Sequence, residues 1–322
     1  AAWLNDVNNL TYGIGSTSRG SALLEFVPAG ANAVATNARA KMRERDSVFD
    51  RMSAAGVADV IARTATVDVA TDCSEADAVA TTGVYYPAGL YYINTNTTLS
   101  NPITMAPGAT FSVAVGKTLT INGAVYAGER QHIFTGSGTV AGTLGKVKVW
   151  VHWYGAVADG NQAAGTGTDD GAAFNRAIIG ATNGSTKGGV LGVVSGYYFV
   201  STPIVVAANA TTVLTIEGAG KFNSMFVCAS GFASSIVTLS SYGNPMNFKG
   251  FGFVGPTGFA INAKGLDIPG NGIFASDLWI SGMGVGINLT GSDIQVWDWV
   301  CEINYYYGVQ VFGGTAMKIY DG

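Results

Sequence analysis

The chain has 322 residues, of which only 12% are charged and 45 are glycine, and its net charge is -4. That length can hold two or more domains and a large core, while the faint acidity leaves no basic footprint for nucleic acid. No apolar run reaches the roughly 18 residues of a membrane span, and a surface built from Ser, Thr, Asn, Gly and Tyr suits sugars better than phosphates.

Residues 1–70 open with Trp3-Leu4-Asn5-Asp6-Val7-Asn8 and pass through a loop from Gly13 to Gly20. An Ala-rich stretch from Val34 to Ile61 is predicted helical, with Met42, Val48, Phe49, Met52, Val57 and Ile61 as its apolar stripe. Arg39, Lys41, Arg43, Glu44, Arg45, Asp46 and Arg51 then face water, as a solvated surface or as a docking segment.

Residues 71–148 read as a β-rich module. Gly83 to Ile93 is two short strands around a Pro87-Ala88-Gly89 turn, in which Pro fixes one dihedral and Gly supplies the other. Further strands are predicted at Thr97 to Leu99, Thr110 to Val115, Thr118 to Ile121 and Val125 to Ala127, with another in Gln131 to Gly138.

From about Val149 to Gly322 the character changes. Trp153-Tyr154-Gly155-Ala156, Asp159-Gly160 and Thr168-Asp169-Asp170 precede a helix with Ala173, Phe174, Ala177 and Ile178 on one side. Thr168 or Asp169 can cap its first free amides, where the helix dipole favours negative charge. From Gly188 the chain becomes short strands punctuated by Gly, Asn and Ser, a coiled β stack whose open first rung the helix is expected to cover. The likeness of Leu278-Trp279-Ile280…Gly286-Ile287 to Val300-Cys301-Glu302…Gly308-Val309 sets a repeat of 22 residues. Alternation points Phe251, Phe253, Leu278, Ile280, Ile294, Val296, Val300, Val309 and Val311 inward.

Other signals are weaker. Cys73, Cys228 and Cys301 lack paired spacing and read as reduced buried thiols. With His132 and His152 as the only histidines, a zinc site or a Ser-His-Asp triad has little to draw on. Gly218-Ala219-Gly220-Lys221 lacks the earlier Gly of a phosphate loop and reads as a turn. Gly136-Ser137-Gly138 lacks the context of a dinucleotide site. Asn183-Gly184-Ser185 and Asn209-Ala210-Thr211 match a glycosylation pattern only formally.

The order aromatic-Gly-Ala, Asp-Gly, Thr-Asp-Asp, helix and then Gly188-Gly189-Val190-Leu191, Gly196 to Val200 and Leu214 to Gly220 resembles the start of the right-handed parallel β-helix in the pectate-lyase-like superfamily. It is most similar to bacteriophage tailspikes and tail-fibre depolymerases, whose amino-terminal parts carry phrases like Trp3 to Asn8. Segment 83–138 is likewise similar to a neck module that precedes such β-helices. The chain departs from the pattern at Val194-Ser195, where the family has Pro.

The resemblance implies a mainly β homotrimer: an adaptor segment at 1–70, a neck at 71–148, and the first coils of a β-helix at 149–322. It implies a virion protein of the phage tail that docks on a tail, baseplate or adaptor protein and binds capsule or lipopolysaccharide. No cofactor, metal, nucleic acid or membrane insertion is implied. Ala1 is not an initiator Met and nothing near it reads as a signal peptide, so the sequence is expected to be an internal piece that stops in mid-coil at Gly322.

If the family's depolymerase chemistry is present it needs carboxylates. Asp277 and Asp298 stand close to one coil apart, with Asp293 and Glu302 nearby, and an Asp before a strand is equally a turn cap. Trp297, Trp299, Tyr305, Tyr306 and Tyr307 are aromatic candidates for stacking on sugar rings or for packing within a trimer. Cleavage of host polysaccharide is the first expectation, a passive attachment fibre the second. A secreted pectate-lyase-like enzyme is the third, weakened by the absence of paired acids to hold calcium.

Overall fold

The computed structural model describes residues 46–144, 148–182, 189–207, 213–240, 245–256, 260–313 and 315–320, together with a short antiparallel pair, β1 (Glu25–Phe26) and β2 (Thr36–Asn37). After that pair the strands described associate in parallel, in a β-solenoid of about nine turns.

The predicted 34–61 helix is much shorter. Thr36–Asn37 is strand β2, Asp46–Ser47 is strand β3, Val48–Asp50 is a 3-10 turn, and helix α1 covers only Ala54–Ala62. Ser47 and Ser53 explain the break, because each hydroxyl accepts a backbone N–H of its own turn (Phe49 at 3.3 Å, Gly56 at 3.1 Å) and starts a separate element. Val48 and Val60 are buried, whereas the predicted stripe residue Ile61 is 62% exposed. Met42 and its charged neighbours lie outside the described residues.

Helix α2 (Ala70–Val79) follows, and the chain then winds into coils of three short strands. The first coil is β4 (Val84–Tyr86), β5 (Gly89–Ile93) and β6 (Thr97–Leu99); the second is β7 (Ile103–Met105), β8 (Ala109–Val113) and β9 (Thr118–Ile121). The third is β10 (Val125–Tyr126), β11 (Phe134–Gly136) and β12 (Thr139–Ala141), and like strands stack in parallel. Parallel coiling is thus already present upstream of Val149. The turn at Pro87-Ala88 is a corner between two faces of one coil: β4 and β5 pair with β7 and β8 one coil on, and β4 pairs on its other edge with β3. Tyr86, Tyr91 and Phe111 fill this interior with rings 4.9–5.7 Å apart. Helix α1 seats on β5 because residue 89 is glycine: a Cβ there would stand 2.4 Å from Val60 Cγ1.

A second run of coils starts with β13 (Val149–Trp150), then helix α3 (Gly171–Thr182), β14 (Gly189–Gly192), β15 (Gly196–Val200) and β16 (Ile204–Ala207). It continues as β17 (Leu214–Glu217), β18 (Ser224–Cys228) and β19 (Ser235–Ser240). Later coils fuse two faces into one long bent strand: β20 (Met246–Val254) with β21 (Ala260–Ile268), β22 (Ile273–Ser281) with β23 (Met283–Leu289), and β24 (Ile294–Glu302) with β25 (Tyr307–Val311), before β26 (Lys318–Ile319). Coils shorten along the way: Leu214 pairs with Met246, 32 residues on, Met246 with Ile273, 27 on, and Ile273 with Ile294, 21 on. On the other face Ile287 pairs with Val309, 22 residues on, as the repeat predicts.

Helix α3 covers the first coil of this run, with Ala173, Phe174, Ala177 and Ile178 buried. Its other side meets β12 of the upstream coils, so it is a wedge between two stacks, and one core runs from Val48 to Val296. Arg176 donates to the carbonyls of Gly136 (3.1 Å) and Tyr154 (2.7 Å), while Asn175 satisfies the backbone of Pro203 and Val205 (both 2.9 Å). Asp169 supplies the cap, accepting from Gly171 N (3.1 Å); Thr168 instead donates to Asp159. Below the wedge Phe174, Phe226, Phe251 and Phe248 form a column of rings 4.6–5.2 Å apart.

The inward set holds for Phe251, Phe253, Leu278, Ile280, Ile294 and Val296, all at most 2% exposed. Val309 and Val311 stand in register with buried Ile287 and Leu289, though Val311 is 48% exposed in its coil. Val300 departs: it pairs with Trp279, while Trp299 and Cys301 pair with the inward Leu278 and Ile280. The cause is Asp298, whose left-handed backbone (φ 49°) inserts a bend and resets the alternation.

Candidate functional site

The bend at Asp298 belongs to a column. Gly250 (φ 81°), Asp277 (φ 52°) and Asp298 (φ 49°) occupy the same place on β20, β22 and β24, each one residue before an inward side chain. Asp is among the few residues besides Gly that enter this conformation at small cost. Such a column brings side chains 21 residues apart onto neighbouring coils, and Asp277 and Asp298 accordingly lie side by side on the outer surface.

The third member comes from the turn between β17 and β18. Residue 218 must be glycine there, because a Cβ would stand 2.1 Å from Gly250 O. Lys221 leaves that turn and places Nζ 2.6 Å from Asp298 Oδ1 and 3.9 Å from Asp277 Oδ1. The two carboxylates are therefore no further apart than those distances laid end to end. Their side chains are 38% and 58% exposed, and Lys221 is the only group among the described residues that pairs with them.

Next along the chain Phe222, 63% exposed, tilts against the Trp279 ring at 5.7 Å. Trp279 donates its indole N–H to Glu302 Oε1 at 2.6 Å. Three of the four sequence-predicted acids thus share one ridge, Asp277 and Asp298 through Lys221 and Glu302 through Trp279. Asp293 stands apart at the start of β24, where its backbone links two coils by accepting from Ile273 and donating to Thr315.

The predicted aromatics scatter. Trp297 faces outward on β24, 37% exposed, its ring 6.4 Å from Phe274. Trp299 packs on the core and donates to Tyr320 O at 2.9 Å. Tyr305, Tyr306 and Tyr307 form an exposed turn into β25 (59%, 56% and 54%), with backbone N–H groups of the first two bound to the previous coil. Sequence reasoning missed Lys221, Phe222 and Trp279 as members of the ridge. Lys221 is 77 residues from Asp298, across coils of unequal length, so no fixed spacing could reveal it.

Charge continues along the same wall, where Glu217 is gripped by Lys148 and by Lys249 (3.2 Å) and its carboxyl is held below the usual range, chiefly by Lys148. The cysteines offer no nucleophile: burial pushes the Cys228 and Cys301 thiols up to about 12. Among the described residues no three His, Cys, Asp or Glu side chains converge where a metal could sit, and no helix is long and apolar enough to cross a membrane. No family model matches this chain, and no curated protein matches it.

Proposed function

We propose that this chain is a subunit of a bacteriophage tailspike or tail fibre, a homotrimer that binds host surface polysaccharide along the outer ridge of its β-helix. The observation that carries the reading is the ridge itself: paired exposed carboxylates and a lysine to hydrogen-bond sugar hydroxyls, beside the Phe222–Trp279 rings, which offer an apolar face to a pyranose. The 1–70 segment docks on a tail, baseplate or adaptor protein, and capsule or lipopolysaccharide is the ligand.

Depolymerisation is the finer part of the proposal. Two carboxyl groups separated by about 5 to 9.5 Å serve glycoside hydrolysis, one of them giving a proton to the leaving oxygen. A passive attachment fibre is the second reading, and the Lys221 clamp favours it, since it engages the carboxylates that hydrolysis would need. Incubation of the protein with a panel of bacterial capsules and lipopolysaccharides decides between them. New reducing ends or unsaturated uronic products support cleavage; an intact polymer that stays bound supports the passive fibre; no binding to any member refutes both.

A further inference from the structure

A cavity of about 200 Å³ lies where helix α3 meets the last upstream coil, well away from the ridge. Phe134, Val140 and Ile179 give it apolar walls, while Thr135, Ser137 and Thr139 line it with hydroxyls that make no hydrogen bond among the described residues. Arg176 and Tyr154 complete the lining.

Two polar groups here are left unsatisfied. The Arg176 guanidinium spends two nitrogens on the carbonyls of Gly136 and Tyr154, yet its Nε is buried without a partner. No Asp or Glu among the described residues pairs with it, so a half-buried cation lacks a counter-ion. Tyr154 is 3% exposed, and its hydroxyl, packed against Gly180, also has no partner. Buried donors without acceptors are costly and are retained where something else satisfies them. The missing partner must be an acceptor, and the uncompensated charge makes an anion the favoured one.

We propose that this cavity is a subsite for a single carboxylate-bearing sugar residue, a hexuronic acid, whose carboxylate pairs with Arg176 and whose hydroxyls meet Thr135, Ser137 and Thr139. The volume falls below the roughly 300–1,000 Å³ of pockets for larger ligands, which limits the occupant to one ring. The site rests on its own residues and is independent of the ridge.

Titration calorimetry of the full chain with D-glucuronate, D-glucose and acetate tests this. Glucuronate is expected to bind at least about tenfold more tightly than either glucose or acetate, because only it offers both the charge and the hydroxylated ring. Arg176→Gln should lose that preference; since Arg176 also ties two elements together, Ile179→Trp, which fills the cavity and leaves the guanidinium alone, should abolish binding independently. Val115→Ser, at an exposed position outside both this cavity and the ridge, should leave glucuronate binding unchanged. Equal binding of glucose overturns the charge recognition, equal binding of acetate overturns the sugar, and no glucuronate binding, or full binding by Ile179→Trp, overturns the site.

Discussion

The upstream coils (β4 to β12) and the downstream coils (β14 to β25) both stack their strands in parallel yet use their acids differently. Upstream, Asp77 is 6% exposed and accepts the backbone N–H groups of Ser100 (2.8 Å) and Asn101 (2.9 Å), and Asp68 holds Asn94 N and Thr95 Oγ1 in the same way. Asp59 is bound by the Thr64 and Thr66 hydroxyls and by the backbone N–H of Thr66. Each of these carboxylates replaces a hydrogen bond that a coil corner or helix end lacks. Downstream, Asp277 and Asp298 hold their corners by backbone conformation, and their carboxylates are open to solvent with Lys221 alone as partner among the described residues. Acids whose oxygens are occupied by backbone are structural; acids whose oxygens are free can meet a ligand.

The largest blow to this two-part picture should fall on the wedge that joins its halves. Phe174→Ala removes the ring that starts the downstream column, and should cost about 3–5 kcal/mol in denaturant unfolding. A cost below about 1 kcal/mol would mean that the wedge is not a shared core.

The junction should also respond to pH. Burial, and secondarily Arg130, pushes His152 down to about 4 from its ordinary 6.5. The unfolded chain then takes up that proton first, so this group lowers stability as pH falls from about 6.5 to 4. Asp170 acts oppositely: burial raises it to about 6 even though it accepts from Val157 and Ala158, so folding gains as pH falls from about 6 to 3.8. In the native protein the two trends offset. Burial also lowers His132, so the test is the difference: relative to the native protein, His152→Phe should gain stability as pH falls from about 6 to 4, by up to about 3 kcal/mol, and an unchanged difference would contradict the assignment.

A paired test sharpens the contrast between acids. Asp77→Ala leaves two amides unsatisfied and should cost about 1–3 kcal/mol, whereas Asp298→Asn, which keeps a residue suited to the left-handed backbone, should cost less than about 1 kcal/mol because the carboxylate it replaces is itself 58% exposed. Equal costs would erase the distinction. Smallest of all, Lys221→Met should change the unfolding midpoint little while altering what the ridge binds.

The downstream architecture was largely legible in the sequence. Leu278, Ile280, Phe251 and Phe253 alternate as solenoid strands do, and the Gly286–Gly308 spacing gave the offset that pairs Val285 with Tyr307. Upstream, the strands at Thr97–Leu99 and Thr118–Ile121 could be read individually, but strands of three or four residues carry too little periodicity to show that they stack one coil apart. Helix α1 was overdrawn because an Ala-rich, charge-studded stretch satisfies a helical pattern even where Ser47 and Ser53 divert the backbone. Of the ridge, the Asp277–Asp298 pair was visible in its 21-residue spacing. Lys221 was not, because the 32- and 27-residue coils between break the period.

The account turns on the claim that the open acids of the downstream ridge, and not the backbone-bound acids upstream, meet host glycans. The direct measurement is binding of the full chain to the polysaccharide panel, comparing the native protein with Trp279→Ala and with the double variant Asp277→Asn/Asp298→Asn, each checked for an unchanged unfolding midpoint. Affinity for the cognate polymer should drop at least about tenfold in both variants, the loss expected for one stacking ring or one charged hydrogen-bond partner. Native affinity in folded variants would contradict it.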